Sequence, residues 1–460
     1  MRRSSCSILF VLFFYLMSAQ EIVSEKDFLL MVLQEHPIAQ QAALLESQGI
    51  AKLLKAKGWF DPKLDVSYDQ KSFDGKNYFQ VANGGLRIPT WIGADVKLDY
   101  NWNNGIFINP ENNLPLSGLI SAGIELPVLR GLIMDKRRAD LQQGKNYAQM
   151  GELERQQLLN TLVLDARTAY WQWYEAYKKM GIAKEGVLLA VTTFNFVKSS
   201  NRLGDKPAID TLEALVQVQN RKIEETDAEL EFMNSTILTS SFLWLEGFIP
   251  AELNDDAIPQ AFTLNDLDAV LAEVEGKEED LALANPMVQY YKFKMNNLEI
   301  ERKLKKEMLK PQLNLGYNFI SRPIKETGFE QFNIANYKWN VNFSMPLFLR
   351  KERGDLAIVK AELEIADLDY SLAQLKQRNK IESIKNKIKI YNEQLQLSEK
   401  NVVDNSNLVK AEKRIFEIGE SSLFLVNYRE IMMLKVMQKQ AEIESKLQIS
   451  LAELDNAIGW

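Results

Sequence analysis

The sequence predicts a mainly α chain with a smaller β part, written twice. Three observations carry this. The chain matches itself at long offsets, two helical runs far exceed globular length, and short alternating segments precede each run. Displaced by roughly 249 positions, Pro37, Gln40, Lys57, Pro62, Leu64 and Tyr68 fall on Pro286, Gln289, Lys306, Pro311, Leu313 and Tyr317. At roughly 215, Arg138, Asp140, Leu141 and Lys145 fall on Arg353, Asp355, Leu356 and Lys360. At roughly 212, Asn195, Val197, Lys198 and Arg202 meet Asn407, Val409, Lys410 and Arg414. The offset falls in steps because the first copy carries extra residues.

Taken in order, residues 25–57 read as helix, bent or split at His36-Pro37, where proline suits a first helical turn. Gly58 and Pro62 end it. Leu64, Val66 and Tyr68 then alternate with Lys63, Asp65, Ser67 and Asp69, the period of a strand. Leu313, Leu315, Tyr317 and Phe319 do the same in the second copy, and further strands are read around Val96–Trp102, Ile120–Leu126 and Trp339–Met345. These segments hold much of the aromatic content. Two readings fit them: a soluble sandwich with one buried face, or a membrane barrel with apolar residues toward lipid. Four to six strands are too few to close a pore alone, so a barrel would have to be shared between protomers.

After Pro127 a proline-free helical pattern runs from about Gly131 to Asn201. Leu159, Leu162, Ala166, Ala169, Trp173, Ala176 and Met180 step by three and four, a heptad seam. Ile381, Ile384, Ile388, Tyr391 and Leu395 occupy the same seam in the second copy. About 70 helical residues span roughly 105 Å, the scale of a coiled coil. Each run breaks at a glycine, Gly204 or Gly419, and a returning helix follows from Ala208 or Leu423. Residues 247–284 are acidic and non-repetitive and read as a connector carrying a short helix packed outside the repeats.

At the N-terminus, Arg2 and Arg3 precede an apolar run from Ile8 to Met17 and then Ser18-Ala19-Gln20, a secretory leader with cleavage expected after Ala19. Its loss takes 55 basic residues to 53 against 62 acidic, a net of about −9, a balance that speaks against nucleic acid as a partner. The single cysteine, Cys6, leaves with the leader, so no disulfide or thiolate chemistry is expected. No later stretch reads as a membrane helix, so membrane insertion would require strands. The only histidine, His36, offers little to a metal site or a nucleophilic triad. No catalytic, cofactor-binding or metal residues are expected, and the chain is not read as an enzyme.

The pattern as a whole resembles the TolC family of outer-membrane efflux proteins over essentially the full mature chain. The resemblance rests on the order of short signatures: His36-Pro37 and Asn285-Pro286, Pro62-Lys63-Leu64 and Pro311-Gln312-Leu313, Pro127 and Pro346, Gly204 and Gly419. It implies a leader at 1–19 and a first repeat at 20–248, with strands 63–126 and hairpin 131–246. A connector at 249–284 and a second repeat at 285–460 follow, with strands 312–346 and hairpin 350–459. It further implies a homotrimer in outer-membrane lipid, with about four strands per protomer closing a 12-stranded barrel and the hairpins forming an α-barrel tunnel in the periplasm. Partners would be a periplasmic adaptor and an inner-membrane RND or ABC-type pump, with adaptor contact around Arg202, Leu203, Gly204, Arg414 and Gly419. The function implied is a passive duct for efflux or type I secretion.

Two departures from the family stand out. Family ducts close through acidic residues mainly on the second returning helix, yet here the equivalent positions are Leu425 and Tyr428, whereas the first repeat carries Asp210 and Glu213. An acidic ring from the first repeat with an apolar collar from the second is the expectation; ordinary N-terminal helix charges are the alternative. The first strand region is also longer, by a segment around Tyr78–Trp91 that reads either as an extra hairpin or as an external loop. The rival reading for the whole chain is a periplasmic adaptor without a pore.

Overall fold

Proline placement decides the first break in the chain. In this computed structural model, which describes residues 21–254, 256–264, 267–323 and 335–459, helix α1 (Glu25–Glu35) stops at His36 and α2 (Pro37–Lys57) begins on the proline. Ser24 caps α1, accepting from the Asp27 N–H at 3.1 Å. The expected leader lies outside the described residues. The remaining helices are α3 (Lys136–Arg202), α4 (Ala208–Ser240), α5 (Leu267–Val274), α6 (Glu278–Ala284), α7 (Pro286–Glu307), α8 (Arg350–Glu417) and α9 (Leu423–Ile458). Six longer strands accompany them: β1 (Lys63–Phe73), β2 (Lys76–Pro89), β3 (Asp95–Asn104), β4 (Leu119–Pro127), β5 (Gln312–Ser321) and β6 (Tyr337–Ser344).

The chain divides into two units, each drawing on both sequence repeats: Met1–Ala43 with Gln156–Asn285 and Leu375–Trp460, and Leu44–Arg155 with Pro286–Gln374. The first unit is helical, and the heptad seams form its cores. Ile381, Ile384, Ile388 and Leu395 of α8 pack with Ile443, Leu447, Leu451 and Leu454 of α9. Leu162, Ala166, Tyr170 and Trp173 of α3 pack with Phe28 and Val32 of α1. Burying each large side chain is worth roughly 1.5–3 kcal/mol, so a seam of eight dominates what hydrogen bonds add. Polar tips find partners: Trp173 Nε1 donates to Thr236 at 2.9 Å and the Tyr170 hydroxyl to the Val23 carbonyl at 2.8 Å. Burial pushes the Tyr170 hydroxyl pKa up to about 12.

The connector differs from its expectation. It holds two helices, α5 and α6, where one was expected, and each turns one face inward, with Leu267, Val274 and Ala282 buried against the α8–α9 seam. Their apolar face needs a cover, and the seam supplies it. Residues 22–23 pair in parallel with 258–259, and residues 244–245 antiparallel with 249–250. The expectation about apolar helices also needs correction. By length and composition Lys136–Leu203 contains a window apolar enough to cross a membrane, yet its Ile182, Ala183, Ala190 and Val197 are buried in the protein.

The second unit contains all six long strands in one antiparallel sheet, ordered β6-β5-β4-β3-β2-β1. Among the described residues this sheet has six strands, where about four per protomer were expected. The cause is local: Asp74 and Gly75 both take positive φ (53° and 67°), the two-residue turn that reverses a strand on itself. Strand β2 returns from it and pairs along its length with β1 and β3. The segment 78–91 thus lies largely in a strand, not in an external loop. Residues 324–334, between β5 and β6, lie outside the described residues. Helices of this unit are linked by polar contacts, Asn146 to Asn297 (2.8 Å) and Lys305 to Asp355 (3.3 Å).

His36 ends α1 in a buried site, its Nδ1 accepting the Ile38 N–H at 3.1 Å while its ring stacks on Phe242 at 6.0 Å. Burial holds its pKa below the ordinary 6.5. The unfolded chain therefore binds a proton first as pH falls below 6.5, and stability contributed by this site is lost in that direction. Thermal unfolding followed by circular dichroism should show a falling midpoint below that pH, and His36→Asn, which keeps an acceptor without a titrating ring, should flatten the slope.

Candidate channel wall and hairpin tips

Strand register sorts the sheet into two chemically opposite faces. One face carries Leu64 and Val66 of β1, Leu86 and Ile88 of β2, and Leu98 and Tyr100 of β3. It continues with Ile120 and Ile124 of β4, Tyr317 and Phe319 of β5, and Trp339 and Phe343 of β6. Every direct cross-strand neighbour in this series falls on the same face. Leu64 is 73%, Val66 75%, Trp339 65% and Phe343 65% exposed, core-sized side chains with no protein over them. A soluble sandwich would bury such a face; here it is left open. Tyr100 and Trp102 donate to the loop carbonyls of Ser117 and Leu116, each at 3.1 Å, presenting an apolar ring with a satisfied polar tip, as interfacial aromatics do.

The opposite face carries Lys63, Asp65, Ser67 and Asp69 of β1, then Arg87, Lys97, Asp99, Glu125, Asn314, Asn318, Asn340 and Asn342. Lys97 pairs with Glu125, and Arg137 with Asp95 at 2.6 Å. Three glycines on this face face a polar partner directly across the strands: Gly85 opposite Asp99, Gly123 opposite Asn318, and Gly316 opposite Asn340. A Cβ on Gly85 would stand 2.6 Å from the Asp99 carboxylate, and at Gly123 and Gly316 the asparagine lies closer still. At Gly85 and Gly316 the neighbour's side chain lies across the space a Cβ would fill, and at Gly123 the Tyr317 carbonyl stands there too, so glycine is demanded most strongly at Gly123.

The hairpin tips of the helical unit are built alike. Gly204 (φ 86°) and Gly419 (φ 83°) take left-handed backbone, and added Cβ atoms would meet nothing within 4 Å, so conformation rather than space selects them. Asp205 N–H reaches back to the Ser200 carbonyl (2.9 Å) and Glu420 N–H to that of Ile415 (3.0 Å), the same closure in both. Arg202, Leu203 and Arg414 are exposed at these tips. Pro207 opens α4, while Ser422 caps α9 through the Leu425 N–H. The tips share a small core of Val197, Ala214, Phe416, Leu423 and Val426.

Of the residues assigned to a constriction, Glu213, Leu425 and Tyr428 are exposed and Asp210 half-buried on the opening turns of α4 and α9. The two turns meet: Asn427 Nδ2 lies 3.5 Å from the Glu213 carboxylate.

Residues 279–460 match the family model described as outer membrane efflux protein. A comparison with curated protein sequences returns no match. Among solved structures the chain is similar to the CmeC outer membrane channel of Campylobacter jejuni (TM-score 0.67, 14% identity, covering 95% of this chain and 85% of that one). It is similar too to the outer membrane protein VceC of Vibrio cholerae (0.67, 13%, 95% and 96%). The open state of the MtrE outer membrane channel of Neisseria gonorrhoeae gives 0.65 at 12% identity, with 95% and 88% covered. At such identities the likeness is one of fold, and the fold is that of these channels.

Sequence reasoning missed the polar pins of this fold. Buried Glu430 of α9 binds Lys413 of α8 at 2.7 Å and lies 3.4 Å from the Thr193 hydroxyl of α3. The Tyr174 hydroxyl donates to buried Glu444 at 2.7 Å, and burial raises its pKa. Arg167 joins Glu25 at 2.6 Å to Asp455. Each partner lies more than a hundred positions away or on a seam that looks apolar, so no local spacing announces it. The added hairpin was legible: Asp74-Gly75 between strand-like residues is its signal.

Gly123→Val should reduce the yield of folded, heat-modifiable protein on unboiled gels, because its side chain collides with the Asn318 side chain and the Tyr317 carbonyl. Asn318→Gly in the same chain should recover part of that loss, giving a non-additive cycle.

Proposed function

We propose that this chain is the outer-membrane channel of a tripartite efflux or type I secretion assembly. It is a passive duct for small molecules or polypeptides, and not an enzyme. The observation that carries this reading is the sheet whose one face is apolar and exposed from edge to edge while the other is polar and charged. Lipid covers the first face at no desolvation cost, and water fills the lumen along the second. The match of residues 279–460 to the efflux family and the likeness of the whole chain to solved channels point the same way. On this reading the protein sits in the outer membrane as a homotrimer, with its helical hairpins forming a tunnel in the periplasm. The tips at Arg202, Leu203, Gly204, Arg414 and Gly419 are assigned to a periplasmic adaptor, itself coupled to an inner-membrane pump. The adaptor reading of the chain itself is disfavoured by the uncovered sheet face and by two hairpins in place of one.

Full-length protein reconstituted in planar bilayers should give stepwise conductance and should fractionate with the outer membrane. Folded protein that stays soluble and never conducts would overturn the reading.

Asp210 and Glu213 are assigned to an acidic ring at the constriction, with Leu425 and Tyr428 as an apolar collar. Asp210→Ala with Glu213→Ala should then raise the threshold for block by divalent cations and change single-channel conductance. Unaltered block and conductance would leave those carboxylates as ordinary charges of a helix start.

A further inference from the structure

A hollow of about 360 Å³ opens where the polar face of β3, β4 and β5 meets the first turn of α3 and the last turn of α7. Small-molecule sites begin at roughly this size. One wall is apolar, made by Pro127, Met134, Leu304 and Met308. Met134 and Leu304 are buried in a small core with Ala139, so that wall is fixed by packing. The rest of the lining is charged, amide or backbone.

Most of the charges are satisfied within the protein. Arg137 pairs with Asp95 at 2.6 Å and with Asp135 at 3.3 Å, and Lys136 with Asp140 at 3.4 Å. Glu125 holds Lys97 and accepts from Asn314 Nδ2 at 3.2 Å. Two lining groups are left over. The guanidinium of half-buried Arg130 has no acceptor among the described residues. Glu307 is only 8% exposed; its Oε1 takes the Lys310 ammonium at 2.6 Å, while its buried Oε2 has no donor. A desolvated carboxylate oxygen without a donor is costly, and folded proteins rarely leave one so.

Backbone contacts bring both residues to the same corner. Arg130 N–H donates to the Pro311 carbonyl at 3.2 Å, and Lys310 N–H closes the last turn of α7 on the Glu307 carbonyl at 3.1 Å. The duplicated corner is built without them. Where Lys306 falls on Lys57, Glu307 falls on Gly58; where Pro346 falls on Pro127, Leu349 falls on Arg130. A turn of this kind therefore forms without the two charges.

We propose that this hollow binds a small zwitterion of amino-acid size with an apolar body. Its ammonium meets Glu307 Oε2, its carboxylate meets Arg130, and its hydrocarbon part lies on Met134, Leu304 and Met308. The complementarity is one of sign at two points, a negative one and a positive one, neither of them balanced inside the protein. A metal ion suits the hollow less well. Among the described residues no three of His, Cys, Asp or Glu are placed to hold one, and the Arg130 guanidinium repels a bare cation. Access from the lumen rests on the channel reading above, in which the polar sheet face is wet; the binding itself does not.

Three probes of nearly equal hydrocarbon test the assignment. L-leucine carries both charges, 3-methylbutylamine only the ammonium and 4-methylpentanoate only the carboxylate. Each is titrated calorimetrically into full-length protein folded in detergent. L-leucine should bind at least about tenfold more tightly than either truncated probe. Arg130→Gln should weaken L-leucine and 4-methylpentanoate by about tenfold and leave 3-methylbutylamine unchanged. Glu307→Gln should weaken L-leucine and 3-methylbutylamine and leave 4-methylpentanoate unchanged. This crossed pattern separates contact from damage, since a distorted hollow would lose all three probes together. If Glu307→Gln does not fold, Arg130→Gln and the three probes on the unaltered chain still decide. Equal affinity for the three probes, no binding of any, or L-leucine binding untouched by Arg130→Gln would overturn the inference. The titration needs no current. Protein that conducts but ignores L-leucine overturns this inference alone, and protein that binds it but never conducts overturns the channel reading alone.

Discussion

A sheet facing lipid has nowhere to hide a backbone polar group, because hydrocarbon offers no substitute for a missing hydrogen bond. On the channel reading proposed above, that constraint organises the β part of this chain. Among the described residues six strands satisfy one another internally and leave one free row at β1 and another at β6. The same constraint explains the strictness of the alternation. On β1, lysine, aspartate and serine all point one way and Leu64, Val66 and Tyr68 the other, since a single polar side chain turned toward lipid costs more than most packing contacts return. The glycines opposite Asp99, Asn318 and Asn340 let crowded polar side chains lie flat on the polar face.

The helical unit solves a different problem, how to hold long helices in a fixed register with residues that are mostly exposed. Apolar seams supply the free energy but little specificity, because leucine and isoleucine rows tolerate sliding. Buried polar pins supply the register. Arg167 between Glu25 and Asp455, Tyr174 on Glu444, and Glu430 on Lys413 each join different helices, and sliding any of them would strand a desolvated group. At the tips the chain needs a residue of positive φ, and Gly204 and Gly419 meet that need identically.

Duplication gives the molecule economy of rule. One turn geometry closes both hairpins, one proline break starts both α2 and α7, and one kind of strand seam occurs inside the sheet. Departures from the duplication are where this chain acquires its own character. The added β2–β3 hairpin widens the sheet, and Asp210 and Glu213 stand on α4 where α9 offers Leu425 and Tyr428.

The local features were legible in the residues themselves. Period-two alternation located β1, β3, β4, β5 and β6, the heptad seams located α3 and α8, and His36-Pro37 and the two glycines located the breaks, because each depends on neighbours a few positions away. Asp74-Gly75 was equally local and marks the hairpin that raised the strand number from four to six. What only the tertiary structure decided were the partners: which strands flank β2, how α5 and α6 enter the α8–α9 core, and where Arg167, Tyr174 and Glu430 find their counter-groups. Pairings across a hundred or more residues leave no periodic trace, because backbone geometry sets the period of an element while desolvation and fit select its partner.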